Sequence, residues 1–348
     1  LCPPSARRHR DSISSARLAE PTSGHTEPCG NVDDRFGPDS LVQVLTRERD
    51  PLLRHTAILN AVCERVGYPS RSMRLLSWNM GHREAHWRDV TADSEVDVAL
   101  LQEAVPPPAG AVHETVPAVS ERWVTAGADR RFCAAIARLS NRVNLRPIPT
   151  KPLADAGRDE LGVSLPGTLA ACEVTDASGE QITVVSIYGA WASPIASRQG
   201  SWIYADASVH RLISDLSALV ASQRGHRILV AGDLNVLYGH GEHGSDYWRM
   251  RYETVFTRMN AIGLPFVGPQ YPNGEQCASW PTELPRSSKN VPTFRTRKTD
   301  PSSATRQLDF VFASTDLVDR VCVRACNTAD DWGPSDHCRI EIQVRPSI

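Results

Sequence analysis

The chain has 348 residues, 41% of them hydrophobic, and its 38 Lys+Arg against 40 Asp+Glu leave a net charge of -2. Such a length and composition belong to a globular protein with a sizeable core, built as one large domain or two ordinary ones. They exclude an overall positive field toward nucleic acid or anionic membrane, so a nucleic-acid substrate requires a local basic groove.

Residues 1–40 are rich in Ser, Pro, Arg, Gly and Asp without apolar periodicity, which predicts a disordered extension. Between 41 and 72, Leu41, Val44, Leu45, Leu52, Leu53, Ile58, Ala61, Val62 and Val66 keep helical spacing up to Gly67 and Pro69, predicting one or two amphipathic helices. The chain opens on Leu, and Met73 stands directly before an apolar run. The functional protein is therefore expected to start at Met73, with its domain over 73–348; a peptide from upstream of Met73 in the natural protein would sink that expectation. No apolar run reaches the roughly 20 residues of a membrane-spanning helix, and the first residues lack the apolar stretch of a secretory signal. A cytoplasmic location, no membrane and no obligate protein partner are the expectations. The nine Cys are scattered without a CxxC pair, which predicts reduced thiols.

Beyond Met73, short apolar runs predict strands at 73–79, 96–102, 133–139, 168–174, 181–188, 227–232, 308–313, 321–325 and 338–344. The clearest helix spans 202–221, where Ile203, Val209, Leu212, Ile213, Leu216, Leu219 and Val220 share one face; a second covers 247–262. Strands on both sides of these helices predict an α/β fold of two sheets packed face to face with helices outside.

Four segments place polar or acidic residues at strand ends, where side chains can converge on one rim: SWN (77–79), LLQE (100–103), GDLN (232–235) and SDH (335–337). Glu103 is the best candidate ligand for a hard divalent cation, Mg2+ or Mn2+, which needs only one or two protein carboxylates. His337 can contact a phosphate oxygen or exchange a proton near neutral pH, and a carboxylate partner would fix its tautomer. Asp233 and Asn235 also read as residues that shape a turn, and Tyr188 as a core aromatic.

The order and spacing of these segments, together with IYG (187–189), PTF (292–294) and LDF (308–310), resemble the endonuclease/exonuclease/phosphatase superfamily over roughly 73–344. Single tripeptides of this kind arise by chance; seven in order carry the resemblance. It implies a four-layer α-β-β-α sandwich with mixed sheets, and metal-dependent hydrolysis of phosphate esters by in-line attack of water. It further implies that Glu103 binds the metal, that Asn79 supports the metal and phosphate site, and that Asp336 lies beside the metal. Asp233 is implied to face the attacking water with Asn235 orienting it, Asp309 to partner His337, and Tyr188 to contact the phosphate.

Nucleic acid is the favoured substrate on this resemblance. A phosphatase or phosphodiesterase for a small or lipid phosphate ester shares every catalytic residue, and a non-catalytic nucleic-acid-binding protein is a third reading. The chain departs from exonuclease III-like members at Gly81, where they carry an acid, and at GAW (189–191) after the tyrosine. Arg306 stands where abasic-site enzymes place a tryptophan. Arg286, Lys289, Arg295, Arg297, Lys298 and Arg306 form a basic stretch with Trp280 and Phe294, which suits either a phosphate backbone with unstacked bases or a solvated loop. His82 and His86, four apart, predict a surface pair on one helix face, and His240 and His243 a mobile Gly-rich loop beside the substrate.

Overall fold

The computed structural model describes residues 72–125, 130–158, 160–191, 205–221 and 227–347. The extension predicted over 1–40, the helices predicted within 41–66 and the start of the helix predicted from 202 lie outside the described residues. Two six-stranded sheets carry the architecture. The first contains β1 (Met73–Asn79), β2 (Val98–Ala104), β3 (Glu114–Val116), β4 (Cys133–Arg138), β13 (Val321–Cys326) and β14 (Arg339–Val344), in the order β13-β14-β1-β2-β4-β3. The second contains β5 (Val143–Ile148), β8 (Leu169–Asp176), β9 (Gln181–Tyr188), β10 (Ile228–Asp233), β11 (Phe266–Gly268) and β12 (Asp309–Ala313), in the order β11-β12-β10-β9-β8-β5. A small parallel pair, β6 (Thr150–Pro152) and β7 (Leu161–Val163), stands apart.

Both sheets are mixed, because β1 runs parallel to β2 and β9 parallel to β10 while their other pairings are antiparallel. Alternation along the strands explains why the sheets stack. In β1 and β2, Leu75, Val98 and Leu100 enter the core between the sheets, facing Cys172, Val184, Leu229 and Val311 of the second sheet. Leu76, Trp78, Ala99 and Leu101 point the other way. Central strands buried on both faces read as continuous apolar runs, and nearly all of those were predicted within two residues.

The outer faces differ. Over the second sheet lie two long helices, Ala205–Ala221 and Asp246–Ala261. Their Val209, Leu212, Ile213, Leu216, Val255 and Met259 pack on Val185, Val230, Phe310 and Phe312. Over the first sheet, Trp78 and Leu101 are covered by Trp87 and Val90 of a single helical turn, Trp87–Val90, and by the loop residue Trp123. The two long predicted helices flank the second sheet, and the short helix Trp87–Val90 with the indole of Trp123 covers the first. Five strands escaped the sequence: β3, β6, β7 and β11 are three residues long, and β5 (VNLRPI) is a part-exposed edge strand carrying Pro147. No described helix is long and apolar enough to cross a membrane.

Candidate active site

Strand register brings the acidic and amide side chains to one rim. Asn79, the last residue of β1, pairs with Gln102, so Glu103 follows one step further along β2. Asp233 ends β10 and is in register both with Tyr188 on β9 and with Asp309 on β12. His337 stands just before β14, where Trp78 Nε1–H donates to its carbonyl at 2.9 Å. The Ser335 hydroxyl donates to the Asn79 carbonyl at 2.8 Å and Trp332 Nε1–H to the Ser335 carbonyl at 3.2 Å, so the SDH segment is sewn onto the end of β1. Between the sheets, Gln102 donates to Ser186 at 3.0 Å, a polar link under the site.

A line of hydrogen bonds and one charge contact runs through the rim. His337 Nδ1–H donates to Asp309 Oδ2 at 2.8 Å, and its Nε2 lies 3.8 Å from Asp233 Oδ2. Asp233 Oδ2 also accepts from Asn79 Nδ2 (2.9 Å) and Asn235 Nδ2 (3.0 Å), while its Oδ1 accepts the Asn235 amide at 2.8 Å. Thr293 Oγ1 accepts the backbone N–H groups of Leu308 and Asp309, fixing the strand that carries the second carboxylate. Asp233 is fully buried and Asp309 and His337 nearly so. Glu103 accepts the Tyr188 hydroxyl on Oε1 and contacts His82 Nδ1 through Oε2, both at 2.9 Å. Three non-glycine residues of the rim, His82, Glu103 and Asn235, hold left-handed φ angles of 51°, 47° and 53°, strained backbone of the kind that gathers at functional sites.

Charge follows from this packing. Burial opposes the charge on His337, but Asp309 and Asp233 outweigh it and hold the imidazolium up to about 10. Burial pushes Asp233 up to about 7; the His337 charge pulls the other way, and Asp309 adds to the rise. Burial alone would raise Glu103, yet the hydrogen bonds from His82 and Tyr188 keep its carboxyl below the usual value. Tyr188, buried beside Glu103, is a phenol held well above its ordinary pKa.

The other predicted residues are placed less simply. Arg297 Nε donates to Asp336 Oδ2 at 3.1 Å and its Nη2 to the Gly81 carbonyl, so the acid expected beside the metal carries a guanidinium partner. Arg295 lies over the Trp332 ring and donates to the Thr299 and Ser335 carbonyls, bracing the SDH segment from behind. Arg306 pairs with Glu242. Phe294 packs against His337, ring centroids 5.0 Å apart. Trp280 Nε1–H donates to the Leu284 carbonyl within its own turn, and no described contact joins it to the rim.

The predicted surface pair of histidines is not one. His86 is buried on Trp78 and contacts the Met80 carbonyl, whereas His82 turns through left-handed backbone onto Glu103. Helical spacing misled here because the chain makes a turn at Gly81 and His82 before any helix begins. In the Gly-rich loop His240 is buried against the Tyr238 carbonyl. Sequence reasoning read His82 as a surface residue and passed over Thr293, Trp78 and Trp332; nothing in the one-dimensional pattern separates these from core or surface residues.

Two donor sets fit a divalent cation. Asp233, Asp309 and His337 offer ligand atoms all within 4.8 Å of one another, and the buried Asp309 Oδ1 accepts no hydrogen bond from the described residues. Glu103 and Asn79 offer hard oxygens at the ends of adjacent strands, and four carboxylates facing one rim with few cations leave negative charge for a metal to neutralise.

A two-sheet sandwich with this rim defines a hydrolase of phosphate esters. The chain belongs to the Endonuclease/Exonuclease/phosphatase family, which it matches over residues 76–337. Among solved structures it is similar to the endonuclease domain of TRAS1, a telomere-specific non-LTR retrotransposon, at 18% identity over 79% of this chain and 98% of that one, with a TM-score of 0.50. It is also similar to the Xenopus laevis APE2 catalytic domain, at 14% identity over 79% of this chain and 94% of that one, with a TM-score of 0.51. These likenesses establish the shared fold. No curated protein matches the chain.

Proposed function

We propose that residues 73–348 form a divalent-metal-dependent phosphodiesterase that cleaves nucleic acid. The observation that carries the reading is the buried line Asp309–His337–Asp233, with Asn79 and Asn235 both donating to Asp233. Asp233, poised near neutrality by burial, accepts the proton of the attacking water, and the two amides fix the lone pair it uses. His337 stays protonated at neutral pH, so it serves as a fixed positive donor to a phosphoryl oxygen while Asp309 holds its tautomer and direction. Glu103 and Asn79, with Asp336 near them, would hold Mg2+ or Mn2+, which when bound neutralises charge on the phosphoryl group. Tyr188 orients Glu103 through its hydroxyl. Phe294 gives the rim an aromatic wall on which an unstacked base can rest. A reducing cytoplasm is the proposed setting, in keeping with the buried thiols of Cys133, Cys172, Cys326 and Cys338.

A second reading, a small or lipid phosphate ester as substrate, draws on one observation: Arg295, Arg297 and Arg306 are all engaged with protein groups and do not form a preformed rail for a polynucleotide backbone. The test is a cleavage panel on the full chain with Mg2+ or Mn2+, using single-stranded, duplex and abasic DNA, RNA and a chromogenic phosphodiester. Metal-dependent strand cleavage lost in both Asp233→Ala and His337→Ala is the expected result. Turnover of the small ester alone selects the second reading, and no turnover of any substrate overturns both.

A further inference from the structure

His82 is the feature of the rim that the proposed chemistry leaves unused. Its Nδ1 lies 2.9 Å from Glu103 Oε2 and its backbone N–H donates to the Glu103 carbonyl at 3.0 Å, so the two residues are joined twice. The ring stacks on Phe132 at 5.3 Å; Phe132 meets the edge of Tyr188, and Tyr188 donates to the other oxygen of Glu103. The four side chains close a ring that leaves Oε2 as the oxygen shared with His82.

Stability does not account for this arrangement. Both residues sit in left-handed backbone, which is strained for a non-glycine residue. The His82 side chain is 46% exposed, and a polar contact so open to solvent returns little stability. Glycine at position 82 would serve the backbone better. What the strain does secure is a nitrogen and an oxygen held 2.9 Å apart. Two adjacent ligands of an octahedral ion, each at about 2.1 Å, are separated by about 3 Å, so a divalent cation seated about 1.5 Å to the side of the N–O line finds both atoms at ligand spacing, with the imidazole turning to aim its lone pair at the ion.

We propose that His82 is a nitrogen ligand of the divalent-metal site, completing with Glu103 a mixed imidazole–carboxylate pair that prefers Mn2+, Co2+ or Zn2+ to Mg2+. The proposal rests on the metal-dependent reading above and specifies which ions it takes. Imidazole favours the later first-row ions, whereas an all-oxygen site leaves Mg2+ competitive.

The test uses the full chain loaded with Mn2+ and examined by electron spin-echo spectroscopy, which detects the nucleus of a directly bound imidazole nitrogen without any turnover. Wild type should show nitrogen coupling that His82→Gly removes and His337→Gln retains. His82→Gly relieves the left-handed backbone, and circular dichroism verifies its fold. Calorimetric titration should show Co2+ affinity falling at least about tenfold in His82→Gly while Mg2+ affinity changes by less than about threefold. Coupling that persists in His82→Gly, that is absent from wild type, or that disappears only in His337→Gln overturns the assignment, as do equal losses for Co2+ and Mg2+. Failure of wild type to bind Mn2+ at all overturns the metal reading along with it.

Discussion

Replacing Asp309 by Asn keeps the shape of its contact with His337 and removes its charge. The His337 imidazolium is held up to about 10, above its ordinary 6.5, with Asp309 the largest of the charges that raise it. Stabilisation from a raised histidine is fully present below its unfolded pKa of 6.5 and is lost as pH climbs toward the folded value near 10. In metal-free Asp309→Asn, nuclear magnetic resonance titration of His337 should therefore give a markedly lower pKa than wild type, and the drop in stability between neutral and alkaline pH should shrink. Turnover of the metal-loaded variant should fall about 10²–10⁴-fold, since the donor to the phosphoryl oxygen loses both orientation and charge. An unchanged His337 titration would mean that Asp233 alone sustains the imidazolium.

At the scale of elements, the parallel pairing of β9 and β10 sets where Asp233 stands. Gly232 lies so close to its neighbour that a Cβ there would fall 1.8 Å from the Ile187 carbonyl oxygen. Gly232→Ala is accordingly expected to cost about 1–3 kcal/mol in chemical denaturation, and to cut turnover through displacement of Asp233 even where the protein still folds. A variant with wild-type stability would show that the strands can spread at no cost. The same strands explain what the sequence discloses. Runs such as VALLQE and ILVAGD are apolar without alternation up to their last one or two residues because both of their faces are buried, and their polar ends announce a rim. Edge strands such as β5, bearing charge and proline, carry no such signal. Asp233, Asp309 and His337 were legible as a set because each ends or begins such a run. The Arg297–Asp336 pair, the Arg295 brace and the His82–Glu103 contact were not, because they join loops whose spacing is set by tertiary structure alone.

Across the whole molecule, one acidic residue clasps the second sheet to the last segments of the first. Glu180, in the turn between β8 and β9, lies 2.7 Å from Arg320 and accepts the Ser347 amide at 3.1 Å. Burial would raise its pKa, but Arg320 and Ser347 outweigh burial and lower it below the ordinary 4.5. A depressed carboxyl stabilises the fold above its unfolded pKa and loses that contribution as pH falls through the folded one. Glu180→Gln should then be about 1–3 kcal/mol less stable than wild type at neutral pH, with the gap closing on acidification below 4.5. A gap independent of pH would assign the loss to packing. Ligand linkage gives a second whole-molecule test: Mn2+ at about 100 times its Kd should stabilise wild type by about 2.7 kcal/mol and Glu103→Ala by much less, and equal rises in Tm would remove Glu103 from the metal site.

The order β13-β14-β1-β2-β4-β3 also bears on biosynthesis. The first sheet is assembled from both ends of the domain, with β14 slotted between β13 and β1, while residues 143–313 of the intervening chain build the second sheet. A ribosome-bound chain thus displays β1 with its β14 edge bare, and without His337, until residues 335–344 have emerged. On the role proposed for His337, activity is withheld from every product terminated before that residue, so a chain of this topology releases no partial hydrolase during its own translation.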